Sequence, residues 1–316
     1  MANRILLSTY NLKVSVNASS DAILSQFDGS NDFLELFKGF MDDVFTNIKA
    51  APSLNDRSIL HLALDEPVTV LAEKRAIYGF ISSGVNEDRF TVREGDDKKF
   101  ESDPVKHVTY RNLFFYIEFP IGKTYAYLII QKKRDIGAKG LLSKSLNLYL
   151  RERGYPDYNV VISNLLNKRV YDKMMLLGNL KKIDFIKRSI PNTIEELYDN
   201  EQKEYSDKGT LTTTIQSRSS LSNYWKSVIH NLFVGENKNS VIELNSKNDS
   251  VDEVEFQLEF KGKIKTFHVL QKHRTQPDID VTGEVEIIDN QPTTESLIEV
   301  SQGLINDILT LKPVNA

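Results

Sequence analysis

Val108-Thr-Tyr-Arg-Asn-Leu-Phe-Phe-Tyr-Ile-Glu-Phe119, followed by Pro120-Ile-Gly-Lys123 and then Thr124-Tyr-Ala-Tyr-Leu-Ile-Ile-Gln-Lys-Lys133, decides the fold. Both arms are rich in aromatic and β-branched residues, and a proline followed two residues later by glycine is turn chemistry, so the stretch predicts a β-hairpin. Its pattern occurs twice. Ile117-Glu118-Phe119, a Gly-Lys turn, an aromatic strand and Gln131-Lys132-Lys133-Arg134 are matched by Leu258-Glu259-Phe260, a second Gly-Lys turn and Gln271-Lys272-His273-Arg274. The fold class this predicts is α+β (mixed α/β), with two lobes, each built around an antiparallel hairpin-containing sheet with packed helices.

Outward from the first hairpin, Ile5 to Val16 alternates as a strand, whereas Phe33, Leu36, Phe37, Phe40, Val44 and Ile48 fall at helical spacing. Short strands are expected at 61–64, 69–71, 76–82 and 89–93, and a charged surface loop at 95–99. Beyond the hairpin come a helix over 142–150, stopped by Gly154-Tyr155-Pro156, a strand at 158–165, a helix at 168–177 and a strand at 180–190. A Thr-rich strand near 210–215, a helix at 224–233, strands at 241–244, 254–260 and 263–270, and a helix from about 294 to 309 complete the chain. The polar stretch around 199–209 separates the two copies of the pattern. The expected organisation is an α/β domain over 1–198 with a basic segment at 132–188, a linker at 199–209, and an α+β domain over 210–316 with an acidic tail region.

The balance of 40% apolar and 27% charged residues is that of a water-exposed globular chain. Apolar runs stop at strand length, well short of the roughly 20 residues of a membrane helix, so no membrane partner is expected and the protein is expected to be cytoplasmic. With no cysteine, disulfides, thiolate metal sites and cysteine nucleophiles are excluded. The net charge of −4 hides segregation: residues 132–188 hold 14 Lys or Arg against five acids, whereas 278–307 holds eight acids and no Lys or Arg. The basic segment suits DNA or RNA, and the acidic region 278–307 suits a protein partner or a fold-back over the basic surface.

No H-E-x-x-H, P-loop, G-x-G-x-x-G or G-x-S-x-G occurs. The first hairpin resembles the core of PD-(D/E)XK nucleases, in which an upstream carboxylate and a strand ending in Gln-x-Lys hold a divalent metal. The resemblance would give those roles to Glu118, Gln131 and Lys133. A four-residue turn at 120–123 sets Glu118 opposite Tyr125 and Gln131 opposite Asn112, about 20 Å apart, too far to share an ion. In the second hairpin a turn on Gly262 sets Gln271 opposite Glu253, with His273 on the same side. Glu253, Gln271 and His273 are therefore the candidate catalytic residues of a divergent nuclease, which would use Mg²⁺ or Mn²⁺; otherwise no cofactor is expected. Cross-strand charge pairs are also ordinary sheet stabilisers. Candidate nucleic-acid contacts are Lys132, Lys133 and Arg134 at a strand end, Lys139 and Lys144 on the following helix, and Arg151 and Arg153 at its far end, with Tyr125 and Tyr127 as stacking surfaces or core.

The block from Asn112 to Pro191, including Ile-Ile-Gln-Lys-Lys-Arg-Asp-Ile-Gly-Ala-Lys-Gly-Leu-Leu142, a helix ending in Leu-Leu-Gly178 and the basic strand Lys181 to Arg188, resembles a group of bacterial proteins associated with antiviral (phage) defence. That resemblance implies a component of a phage-resistance system and transfers no catalytic residue. The expected function is a non-catalytic nucleic-acid-binding or interaction component of such a system. The alternatives are the metal-dependent nuclease and a protein-only scaffold or phage-encoded inhibitor.

Overall fold

The computed structural model describes residues 4–17, 19–52, 59–85, 91–94, 96–101, 103, 108–133, 138–191, 205–234, 251–260, 262–271, 274–275 and 278–308. The fold is mixed α/β, with a curled antiparallel sheet and packed helices. Spatial proximity groups the chain into two units, Met1–Ser163 with Asp278–Asn306, and Asn164–Pro277 with Asp307–Ala316.

In the first unit the elements run β1 (Leu6–Val16), β2 (Ser20–Asp21), α1 (Phe33–Thr46), β3 (Lys49–Pro52), β4 (Ile59–Ala63), β5 (Thr69–Leu71), β6 (Ala76–Val85), β7 (Thr91–Glu94), β8 (Asp97–Glu101), β9 (Thr109–Glu118), β10 (Tyr125–Lys132), α2 (Lys139–Glu152) and β11 (Tyr158–Asn164). The main sheet has the order β11-β1-β10-β9-β6-β4-β3. Asp32 caps α1 by accepting the Leu34 N–H at 3.0 Å, and the helix buries Phe33, Phe37, Phe40 and Val44. Phe37 meets Phe119 with ring centroids 5.7 Å apart, and Phe40 meets Tyr149 of α2 at 5.5 Å. In β9 every residue from Leu113 to Ile117 is buried. A half-exposed strand would alternate, so both faces of β9 are covered here. Asp97 to Lys99, expected in a loop, belong to β8, which pairs with β7 as a separate hairpin.

The second unit holds α3 (Lys168–Leu177), β12 (Asn179–Pro191), β13 (Tyr205–Gln216), α4 (Asn223–Val234), β14 (Glu253–Phe260) and β15 (Lys263–His268), with sheet order β13-β12-β14-β15. Its core stacks Tyr171 of α3 on Phe233 of α4 at 4.6 Å, and Phe256 on Phe267 at 5.1 Å across the β14–β15 pair. The chain then contributes β16 (Asp278–Asp280), β17 (Ile287–Ile288), β18 (Gln291–Pro292) and α5 (Thr294–Asn306) to the first unit. Thr293 caps α5, its Oγ1 accepting the Ser296 N–H at 3.4 Å.

The expected domain boundary differs from this arrangement. Residues 205–209 of the expected linker are part of β13, which pairs with β12 antiparallel; residues 199–204 lie outside the described residues. The Thr-rich strand expected near 210–215 is the second half of β13; an edge strand has one backbone side in water, so the polar first half needs few apolar residues and reads as a linker. The acidic region, expected within a 210–316 domain, instead begins in β16, which pairs with β1 of the first unit through Leu6↔Asp280 and Ser8↔Asp278. The strand expected at 241–244 also lies outside the described residues.

Candidate nucleic-acid interface

The register of the first hairpin differs from the sequence expectation by two residues: Glu118 pairs with Tyr127, not Tyr125. The turn itself closes, with the Lys123 N–H donating to the Pro120 carbonyl at 3.4 Å. However, Phe119 N–H donates to Arg75 O at 3.0 Å and Lys123 O accepts from Leu24 N–H at 2.9 Å, so the flanks of the turn are drawn away from each other. From Tyr127, opposite Glu118, to Gln131 is four strand residues, roughly 13 Å, which is still too far for one metal ion. Gln131 is buried and its Oε1 accepts the Phe114 N–H at 3.2 Å. The nuclease roles drawn from the first hairpin therefore fail on geometry.

The second hairpin also slips, by one residue. Phe260 pairs with Lys263 and Glu255 with His268, so the ladder does not bring Gln271 opposite Glu253. β15 ends at His268, and the following backbone folds onto Glu253 instead. The Glu253 side chain is buried, with Oε1 accepting the Val254 N–H at 2.9 Å and the Leu270 N–H at 2.8 Å, and Oε2 accepting the Gln271 N–H at 2.9 Å. Gln271 uses its Oε1 to accept from Arg274 at 3.3 Å. His273 lies outside the described residues. Among the described residues no group of three or more His, Cys, Asp or Glu is placed to hold a metal ion. A carboxylate committed to three backbone donors is a clamp on the chain after β15.

The basic candidates divide. Lys132 pairs with Asp278 at 2.9 Å, and Asp278 also accepts from Ser8 Oγ at 2.7 Å, so the start of the acidic region neutralises the start of the basic one. Lys139 sits over the Tyr10 ring at 5.2 Å, and burial lowers its pKa. Arg153 lies over the Tyr149 ring at 4.9 Å. Lys144 and Arg151 are exposed, seven residues apart on the solvent stripe of α2. Arg134 lies outside the described residues. The rise along α2 from Lys139 to Arg151 is roughly 18 Å, so the two ends of the helix face different stretches of a bound strand.

Lys133 stands apart. It is half-buried beside Arg111 of β9, and first burial, then the Arg111 guanidinium, lowers its pKa. The Arg111 Nε is buried and makes no hydrogen bond. The two cations are within electrostatic reach of each other, and neither has a salt bridge to an acid among the described residues. Sequence reading misses Arg111, because it lies on β9, 22 positions from Lys133, and comes near it only when β9 and β10 pair. Tyr125 and Tyr127 pack on each other at 5.2 Å, and burial followed by Tyr125 raises the Tyr127 phenol. They are half-buried sheet residues rather than an open stacking platform.

No family model and no curated protein matches the chain.

Proposed function

We propose that this protein binds nucleic acid without cutting it, as the recognition component of a bacterial antiviral defence system in which its two units act as separate lobes. The observation that carries the reading is a set of cations without an acid partner among the described residues: Lys133, half-buried and within electrostatic reach of Arg111, and Arg111 itself, whose Nε makes no hydrogen bond. A phosphate placed there would relieve their repulsion and release counterions. Lys144 and Arg151 extend the positive surface along α2. The non-catalytic part rests on the commitment of Glu253 and Gln131 to backbone donors. The defence role rests on the resemblance carried by residues 112–191.

The test is titration of the full chain into labelled DNA and RNA at low and moderate salt, beside the triple variant K133E/R134E/K144E. Affinity is expected to fall in the variant and its salt dependence to flatten, by about 0.9 in log–log slope for each phosphate that is no longer neutralised. Unchanged affinity would remove this surface from the reading. Products are run on a denaturing gel with Mg²⁺ or Mn²⁺. Intact strands are expected, and cutting that disappears in Glu253→Ala would restore the nuclease. Binding of a protein but of neither nucleic acid would favour the protein-only scaffold through 278–307.

A further inference from the structure

Arg188 and Arg274 of the second unit line one cleft of about 580 Å³, together with Ile186, Gly209, Thr210, Glu253 and Glu255. A volume of that order accommodates one small-molecule ligand or one nucleotide, rather than a duplex. We propose that this cleft binds a phosphomonoester, either on a free nucleotide or at the end of a nucleic-acid strand. All of the lining residues belong to the second unit.

The arginines reach the cleft by two separate devices. β12 and β13 are in register at Lys187↔Leu211 and again at Ser189↔Lys208, so Arg188 faces two residues, Gly209 and Thr210. This is a β-bulge, which turns a strand and re-aims its side chains. Asp252 steadies it, its Oδ2 accepting the Arg188 N–H at 2.6 Å. Arg274 comes from the chain after β15. That chain is held by the Glu253 carboxylate through the Leu270 and Gln271 N–H groups, by a 2.8 Å bond from Arg274 N to Gln271 O, and by fully buried Thr275, whose Oγ1 accepts from His268 N at 3.1 Å. Glu253 is therefore a positioning residue.

The charges in the cleft are unequally satisfied. The two carboxylates have partners: Glu253 accepts three backbone N–H groups, and Glu255 lies 3.1 Å from His268 Nδ1, though outside hydrogen-bonding direction. Among the described residues neither Arg188 nor Arg274 forms a salt bridge, and the only side-chain bond of Arg274 is the neutral contact with Gln271. Both arginines are exposed, and Thr210 adds a hydroxyl. Two arginine forks and a hydroxyl match the three terminal oxygens of a phosphate dianion better than the single charge of an internal phosphodiester. Glu255 is placed to accept from a hydroxyl or amino group on the rest of the ligand.

The experiment is calorimetric titration of the full chain with AMP, adenosine and inorganic phosphate, and with one oligonucleotide carrying either a 5′-phosphate or a 5′-hydroxyl. The proteins are wild type, R188Q, R274Q and the lysine variants R188K and R274K. Because both arginines are exposed, the variants are expected to match wild type in urea unfolding. AMP is expected to bind where adenosine does not, or the 5′-phosphate to tighten oligonucleotide binding over the 5′-hydroxyl. Each glutamine variant should remove about tenfold or more of that preference, and lysine should restore little. A response to AMP alone assigns the site to free nucleotides, and a response to the oligonucleotide alone assigns it to strand ends. No phosphate-dependent binding by any probe, or a preference unchanged in R188Q and R274Q, would overturn the proposal.

Discussion

Replacing Glu253 by glutamine separates a structural carboxylate from a catalytic one. In the folded chain Oε1 accepts two backbone N–H groups and Oε2 one, all at 2.8–2.9 Å, and the side chain is 1% exposed. Glutamine has almost the same shape, so its oxygen can keep two of these bonds, now without the charge. Its amide NH₂ would face the third N–H, donor against donor. Bonds to a charged acceptor contribute about 1.5–3 kcal/mol each against about 0.5–1.5 for neutral ones, and a buried donor left unpaired costs about 1–3 kcal/mol. The expected loss of stability is about 2–4 kcal/mol. Urea unfolding followed by fluorescence reads it directly, because the single tryptophan, Trp225, is partly buried against the core of the same unit. The midpoint should fall with the slope unchanged, as the surface exposed on unfolding is the same. A catalytic carboxylate behaves in the opposite way, since its removal leaves stability equal or higher. A loss below about 0.5 kcal/mol would refute the clamp, because that is the scatter of ordinary surface substitutions.

Asp278→Asn should strengthen binding to DNA and steepen its salt dependence, because it frees Lys132 from a 2.9 Å ion pair; identical salt titrations for the two proteins would count against a role for Lys132. At Gly178 the backbone dihedrals are ordinary, but an added Cβ would lie 2.5 Å from Met174 O and 2.9 Å from Glu259 O. Gly178→Ala should therefore cost about 1–3 kcal/mol in urea unfolding, and a neutral result would mean that the end of α3 shifts freely. The backbone N–H of Asn31 holds the Asp28 carboxyl well below the usual carboxylate range, with further bonds from the Asn31 side chain, Ser30 and Tyr155. A depressed folded value means that this stabilisation is complete above the unfolded value near pH 3.9 and is lost as pH falls through the lower folded value. Asp28→Asn should lower stability at pH 7 and flatten the decline below about pH 4; parallel acid-unfolding curves would exclude Asp28 from that decline.

Much of the fold is legible in the sequence because it depends on local chemistry. Aromatic and β-branched runs mark β9, β10 and β14, and the spacing of Phe33, Phe37, Phe40 and Val44 marks α1. Gly154 and Gly178 end α2 and α3 near the expected positions. Polarity misleads where a strand lies at an edge: Thr212, Thr213 and Thr214 mark the second half of β13, but Ser206, Asp207, Lys208 and Gly209 of its first half read as a linker, although the backbone there continues the ladder with β12. Register is beyond reach for a related reason. A shift of one residue reverses which face each side chain occupies, and in the first hairpin the flanks of the turn bond to Arg75 and Leu24, residues distant from it in sequence.

By itself the sequence determined the main helices and the strands of both hairpins, the excess of basic residues over 132–188 and the acids over 278–307, because each of these follows from the identity of neighbouring residues. Only the tertiary structure decided which charges remain available. It paired Lys132 with Asp278, committed Glu253 to three backbone donors, brought Lys133 within electrostatic reach of Arg111, and brought Arg188 and Arg274 to one cleft. A charge acts over a few ångströms, whereas the Lys132–Asp278 partners stand 146 positions apart along the chain, and only folding closes that separation.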